Sequence, residues 1–164
     1  MTRNLLIVGA GQYGQMVYEI AQAMACFTRI AFLDDNHPDA IGRLSDYTRF
    51  ADEFTDAIVA LGNPDLRLTM LEKLAQHYSL PRILHPQATV MPSAQIGNGC
   101  VIEPQAVVHS HTVIGRGCLI GAGAVINHNA VVDEGCHIDC LAAVPARAHV
   151  PTKTKVSIGR VFTE

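Results

Sequence analysis

The sequence predicts two architectures in series: an α/β unit over residues 1–82 and an all-β solenoid of short parallel strands over 83–164. Three observations predict this. The first half alternates short β runs with helical apolar stripes. A glycine-rich turn, Gly9-Ala10-Gly11-Gln12-Tyr13-Gly14, joins a first strand to a first helix. From Leu84 onward the apolar period changes to six.

In the first half, Leu5 to Val8 reads as a strand, and the glycine turn leads into a helix whose Met16, Val17, Ile20, Ala21 and Met24 share one face. Ile30 to Leu33 makes a second strand, ending at Asp34-Asp35. Ala57 to Leu61 makes a third. Asn63 is placed to cap the next helix, with Pro64 at its first position and Met70, Leu71, Leu74 and Tyr78 as the inward stripe. The order, β-α-β then β-α with a GxGxxG turn after the first strand, is that of a Rossmann-like nucleotide-binding unit.

In the second half, thirteen aliphatic residues recur every six positions, from Leu84 through Ile102, Ile120 and Ile138 to Val156. Four positions after each of the first twelve comes a small residue: Ala88, Ala94, Cys100, Ala106, Thr112, Cys118 and so on to Thr154. A helix repeats near 3.6 residues and an alternating strand near 2, so a period of six requires a short extended segment plus a corner. The large side chain fills the axis and the small one lets the next wall approach. Gly97, Gly115, Gly121, Asn127, Asp133 and Asp139 follow directly after the aliphatic position, and the corner is expected there because these residues tolerate turns.

Composition excludes several classes. An apolar fraction of 49% supports a packed core, while a net charge of −3 with 16% charged residues offers no basic field for nucleic acid and no cationic face for a membrane. No apolar run reaches the roughly 20 residues of a membrane span, and no secretion signal is visible at the N-terminus. Five cysteines without paired CxxC spacing suit a reducing compartment, so the chain is expected in the cytoplasm.

Cys100, Cys118 and Cys136 stand 18 residues apart, one coil of three hexads, and should stack inside the prism as small apolar fillers. His109 and His111, one residue apart on a strand, could share a face, but the spacing of the eight histidines supports no metal site. His128, two positions after the inward Ile126, should point outward.

Several stretches together carry a resemblance that covers nearly the whole chain. They are Ile7-Val8-Gly9-Ala10-Gly11 with Gly14, Phe32-Leu33-Asp34-Asp35, Ala60-Leu61-Gly62-Asn63 leading to Arg67, Leu84-His85-Pro86, and Asn127-His128. The chain resembles the sialic acid O-acetyltransferase-like (NeuD-like) family, which includes N-acetyltransferases of UDP- and dTDP-linked amino sugars. Its hexads are similar to those of left-handed β-helix acyltransferases, and the hand of the solenoid is implied by that resemblance alone. The resemblance implies acetyl-CoA as cosubstrate, no metal, a nucleotide-sugar acceptor, and a homotrimer with active sites between adjacent prisms. It implies a substrate pocket from Gly9, Gly11, Tyr13, Gly14, Asp34, Asp35, Asn63 and Arg67. His128 takes the place of the general base, with acetyl-CoA contacts from His137 and Ala146. The chain departs from the family at Gln12-Tyr13 in the glycine turn and at Asn129, where an acidic residue commonly follows the histidine; with Asn129 there, either the histidine is less basic or Asn129 orients the ring through its amide oxygen.

The implied chemistry is direct transfer of acetyl to a sugar amine or hydroxyl, with an imidazole, which titrates near neutrality, as the base. Two other readings stay open. A catalytically silent, ligand-binding trimer keeps the fold and loses the turnover. A nicotinamide-dinucleotide-binding protein fits the GxGxxG turn with Asp34, yet the six-residue period begins before a second mononucleotide half can be built.

Overall fold

Leu5, Leu6, Ile7 and Val8 have no solvent exposure, because their strand, β1 (Asn4–Val8), lies inside a parallel sheet with a neighbour on each side. The computed structural model describes residues 2–163. The chain divides into two compact units, 1–83 and 84–164.

In the first unit, β1 is followed by α1 (Gln12–Ala23), β2 (Arg29–Leu33), β3 (Ala40–Gly42), a 3₁₀ segment (Leu44–Phe50), β4 (Asp56–Val59) and α2 (Pro64–Leu74). The strand order is β3-β2-β1-β4, all parallel. Helix α1 buries Gly14, Val17, Ile20 and Ala21. Leu6 and Val8 instead join one apolar cluster with Phe50, Phe54 and the α2 residues Leu68, Met70, Leu71 and Leu74. Asn63 caps α2 by accepting the Leu66 N–H at 2.9 Å, and Pro64 follows it at the first position.

The strand β3 and the 3₁₀ segment are absent from the sequence expectation. Ala40-Ile41-Gly42 shows no alternation of its own and becomes a strand by pairing with Phe32 and Leu33 across a register irregularity. Tyr78, expected on the α2 stripe, lies beyond the helix end yet is buried, its hydroxyl donating to the Tyr47 carbonyl.

The second unit is a left-handed parallel β-helix of three walls. One wall stacks Gln95–Ile96, Val113–Ile114, Val131–Val132 and His149–Val150. A second stacks Ile83–Leu84, Val101–Ile102, Leu119–Ile120, His137–Ile138 and Lys155–Val156. The third stacks Thr89–Val90, Val107–Val108, Val125–Ile126 and Ala143–Val144. The aliphatic and the small positions both point into one core, where Ile102, Ile120, Ile126 and Ile138 have no exposure. Each such side chain contributes about 1.5–3 kcal/mol relative to exposure.

The corner is not where the sequence suggested. From Gly99 to Gly159 every sixth residue has φ between 58° and 70°, including Gln105, His111, Asn129, Leu141, Arg147 and Lys153. This left-handed position lies three residues after the aliphatic one. Its strain, about 1–2 kcal/mol for a non-glycine residue, is offset because the N–H of each such residue from Asn129 to Gly159 donates to a corner carbonyl of the preceding coil, as Asn129 does to Ser110. Gly97, Gly115 and Gly121 serve a different need: a Cβ there would stand 2.5–2.6 Å from the backbone nitrogen of Arg116, Glu134 or Cys140 in the next coil. They are glycine for close approach, not for turning.

The stacked thiols are also more than fillers. Cys100, Cys118 and Cys136 donate to the carbonyls of Gly115, Asp133 and Pro151, each at 3.0 Å, as Thr112 does to Asn127 at 3.1 Å. The Cys100 thiol and burial push the Cys118 thiol up, and Cys118 and burial do the same to Cys136, so these groups stay protonated and inert.

Candidate active site

His128 sits at the corner between the strand Val125–Ile126 and the strand Val131–Val132, exposed to solvent. Two neighbours in sequence fix it. Asn127 Oδ1 accepts the backbone N–H of His128 at 2.8 Å. The Asn129 amide lies 3.0 Å from His128 Nδ1, with Nδ2 as the facing atom. In that orientation the amide donates, Nδ1 accepts, and a neutral ring carries its proton on Nε2. A half-turn of the amide puts Oδ1 in the same place; Nδ1–H then donates and Nε2 keeps its lone pair.

The stacking of coils places Ala146 one turn beyond His128, and the Arg147 N–H donates to the His128 carbonyl at 3.1 Å. Above this corner, Pro145, Ala146, Arg147, Ala148, Phe162 and Thr163 line a cleft of about 410 Å³. His137 lies elsewhere, half-buried on the wall with Leu119 and Lys155, its Nε2 3.8 Å from Asp139 Oδ1. A corner and a different wall of one prism do not meet, so one chain brings His128, Asn129 and Ala146 together but not His137.

His109 and His111 do not share a strand face: both fall in the turn after Val107–Val108, and His111 occupies the left-handed corner. Among the described residues no group of three or more His, Cys, Asp or Glu is arranged to hold a metal.

In the first unit, the glycine turn, Asp34 and Asp35, and Asn63 all lie at the carboxyl ends of β1, β2 and β4. The turn is built by packing. Gly9 has φ 105°, and a Cβ on Gly14 would lie 2.0 Å from the Gly9 carbonyl oxygen, so helix α1 rests on the turn itself. Gly11 alone of the three has open space around it, at the N-cap of α1 with no side-chain cap. Tyr13 is half-buried, with its hydroxyl in the interior.

Asp34 is engaged in the fold: Oδ2 accepts the Ala10 N–H at 2.9 Å, and Oδ1 accepts those of Asn36 and His37 at 2.9 and 3.1 Å. The Ala10 bond first, then those from Asn36 and His37, hold its carboxyl below the usual range. Asp35 Oδ1 accepts the Leu44 N–H at 3.1 Å and its side chain stays exposed. Arg67 is held inside the fold. It has no exposure, and its guanidinium donates to the Leu61 and Gly62 carbonyls at 2.8 and 3.0 Å, so it shapes the loop after β4.

What the sequence did not reveal is a cleft of about 620 Å³ between the loop after β2, the 3₁₀ segment and α2, lined by Asp35, Asn36, Arg43, Leu44, Ser45, Tyr47, Leu66, Met70 and Lys73. These residues follow no period. Only the folding of an unanticipated segment brings them together.

No helix among the described residues is long and apolar enough to cross a membrane. Residues 4–74 match the PglD N-terminal domain family. The chain is 30% identical over 110 residues to the UDP-N-acetylbacillosamine N-acetyltransferase of Bacillus subtilis (strain 168), an alignment of 61% of this chain and 51% of that protein; the chain thus spans about half the length of the curated relative it matches. The acetyltransferase domain of PglB from Neisseria gonorrhoeae FA1090, solved in complex with acetyl coenzyme A, is 31% identical with a TM-score of 0.94, covering 98% of this chain and 82% of that one. PerB from Caulobacter crescentus, solved with CoA and GDP-perosamine, shares the fold at 21% identity and a TM-score of 0.77, covering 98% of this chain and 88% of that one. With the α/β unit and the β-helix in place, the likeness to the PglB acetyltransferase domain over nearly the whole chain shows that the chain belongs to the sialic acid O-acetyltransferase-like family of sugar acetyltransferases.

Proposed function

We propose that the protein transfers acetyl from acetyl-CoA to the amino group, or a hydroxyl, of a nucleotide-linked amino sugar. The observation that carries this reading is the His128–Asn129 pair, held at 3.0 Å on an exposed corner, with the Ala146 cleft one coil away. The relative solved with acetyl coenzyme A, at 31% identity, supports the donor, and the Bacillus relative's name supports a UDP-linked amino sugar as acceptor.

His128 Nε2, with its lone pair free, takes a proton as the acceptor nitrogen or oxygen attacks the thioester carbon. The carbonyl electrons move to oxygen, where a backbone N–H of a neighbouring coil stabilises the charge. As the tetrahedral centre collapses the C–S bond breaks, and the imidazolium returns its proton to the departing thiolate. No step uses a metal. Asn129 serves this cycle with its Oδ1 toward Nδ1. His137 joins the acetyl group from a neighbouring subunit, since within one chain it lies on another wall; this is the reading's argument for a homotrimer, which light scattering checks. Gly11 and Asp35, at the carboxyl edge of the sheet, face the nucleotide part of the acceptor, while Asn63 and Arg67 hold the adjoining loop.

The second reading is the silent trimer: with Nδ2 of Asn129 toward Nδ1, a neutral ring carries its proton on Nε2, which then has no lone pair for the acceptor's proton. Release of CoA thiol from acetyl-CoA, followed with a panel of UDP-, dTDP- and GDP-linked amino sugars, separates the readings. Thiol release dependent on one of these acceptors supports the enzyme. Its absence across the panel overturns it.

A further inference from the structure

The corner that carries His128 recurs in the coil beneath it, and the three polar side chains of that earlier copy have no partner. Parallel pairing sets Val107 against Val125 and Val108 against Ile126, so His109, Ser110 and His111 take the positions of Asn127, His128 and Asn129 one coil earlier. Neighbouring strands lie about 4.8 Å apart. Ser110 therefore stands below His128, and His111 below Asn129; the Asn129 N–H donates to the Ser110 carbonyl at 3.1 Å.

Six of the eight histidines engage an aromatic ring, an amide or a carboxylate, as His128 does Asn129 and His149 does Asp133. The rings of His109 and His111 engage nothing among the described residues, and neither does the Ser110 hydroxyl. The backbone beneath these groups is fixed. His111 has φ 59°, and its N–H donates to Ser93 Oγ at 3.1 Å.

The coils on either side of His128 differ in chemistry. On the later one Pro145, Ala146, Ala148 and Phe162 give the cleft a largely apolar lining, which suits the arm of a thioester. On the earlier one Ser110 and His111 present a hydroxyl and an imidazole, which in its neutral form both donates and accepts, as a hydroxyl does. A sugar hydroxyl is matched by such groups, because it also donates one bond and accepts others. The earlier corner has no carboxylate, so an acceptor amine finds no charged partner there to draw it from His128.

We infer that Ser110 and His111 hold ring hydroxyls of the acceptor sugar, which approaches His128 from the coil opposite the Ala146 cleft. The assignment rests on the acetyl-transfer reading above and gives it a direction: acceptor from the Ser110 side, thioester from the Ala146 side.

Calorimetric titration and thiol-release kinetics of the full chain with the UDP-, dTDP- and GDP-linked amino sugars test it, on the wild type, S110A, H111G and the double variant. The Ser110 carbonyl and the His111 N–H that hold the corner are kept, and glycine accepts the φ of 59°, so the variants fold; circular dichroism checks this. Each substitution should raise the Kd and KM of the acceptor about threefold to tenfold, the worth of one hydrogen bond, and the pair should raise them further. The KM for acetyl-CoA should stay the same. Acceptor constants unchanged within about twofold in the double variant, less than one hydrogen bond contributes, overturn the assignment. A KM for acetyl-CoA that rises as much as that of the acceptor also overturns it, as does a wild type that binds none of the amino sugars. The acetyl-transfer reading fails separately: amino-sugar binding that depends on Ser110 and His111, without thiol release, leaves the subsite standing and removes the enzyme.

Discussion

Asn129 holds its side-chain amide 3.0 Å from Nδ1 of His128 while its own backbone sits at φ 58°, the left-handed corner of the coil. One residue therefore answers two demands. Asparagine is among the few side chains that adopt this conformation readily, and its amide is short enough to reach the neighbouring ring. The identity of the facing atom, oxygen or nitrogen, decides whether Nε2 is a base or a donor.

Replacing Asn129 by Asp removes that ambiguity, because both carboxylate oxygens accept. N129D should keep or raise the rate of acetyl transfer and leave the melting temperature nearly unchanged, since Asp also tolerates the left-handed region. N129A should lose the contact to the ring and cost about 1 kcal/mol of stability from the corner conformation. Thiol-release kinetics and thermal melts on the three proteins check both. A rate in N129D far below that of the wild type would count against Asn129 as the residue that orients the ring.

His128→Ala should fold as the wild type does, because its side chain is exposed and the coil core does not use it. Acetyl transfer should fall by about 10²-fold or more, the usual share of a general base. Equal turnover by the two proteins on one acceptor would exclude the mechanism even with the fold intact.

Two glycines of the same turn should respond in opposite ways. Gly14→Ala drives a Cβ to within 2.0 Å of the Gly9 carbonyl oxygen, a backbone atom that cannot move without α1. Gly11→Ala meets nothing within 4 Å and needs no unusual φ. Chemical denaturation should show a loss of about 1–3 kcal/mol or more for the first, typical of overpacking, and a change within about 0.5 kcal/mol for the second.

Glu103 should make stability depend on pH. It is 6% exposed, and burial raises its carboxyl, opposed by the Ala122 N–H at 3.0 Å and reinforced by the nearby Asp139. A carboxyl raised in the folded state binds its proton more tightly there than in the unfolded chain. Its contribution is fully present below the unfolded pKa and is lost as pH rises through the folded one. Glu103→Gln keeps an acceptor for Ala122 and carries no charge, so it should melt higher than the wild type at neutral pH, by an amount on the order of 1 kcal/mol. The gain should disappear in acid. Melts of both proteins between pH 4 and 8 measure the crossing.

The period of six was legible in the sequence because a solenoid repeats one cross-section. Ile102, Ile120 and Ile138 occupy one place in successive coils and must all be apolar, whatever surrounds them. The Rossmann-like start was legible for a related reason: the turn Gly9 to Gly14 and the Asn63-Pro64 cap are local geometries that only a few residue types satisfy. The His128 corner could be placed outward by counting from Ile126. Other features depended on atoms distant in sequence. Glycine at 97, 115 and 121 looked like turning and proved to be close approach, because the clash is with a coil 18 residues on. The burial of Arg67 was not legible, since the carbonyls that hold it belong to a loop whose path only the packed helix defines. The separation of His128 from His137, and the meeting of Arg43 with Lys73, follow from which wall or helix each residue occupies. Periodicity reports what a side chain must be; only the closed fold decides what it stands beside.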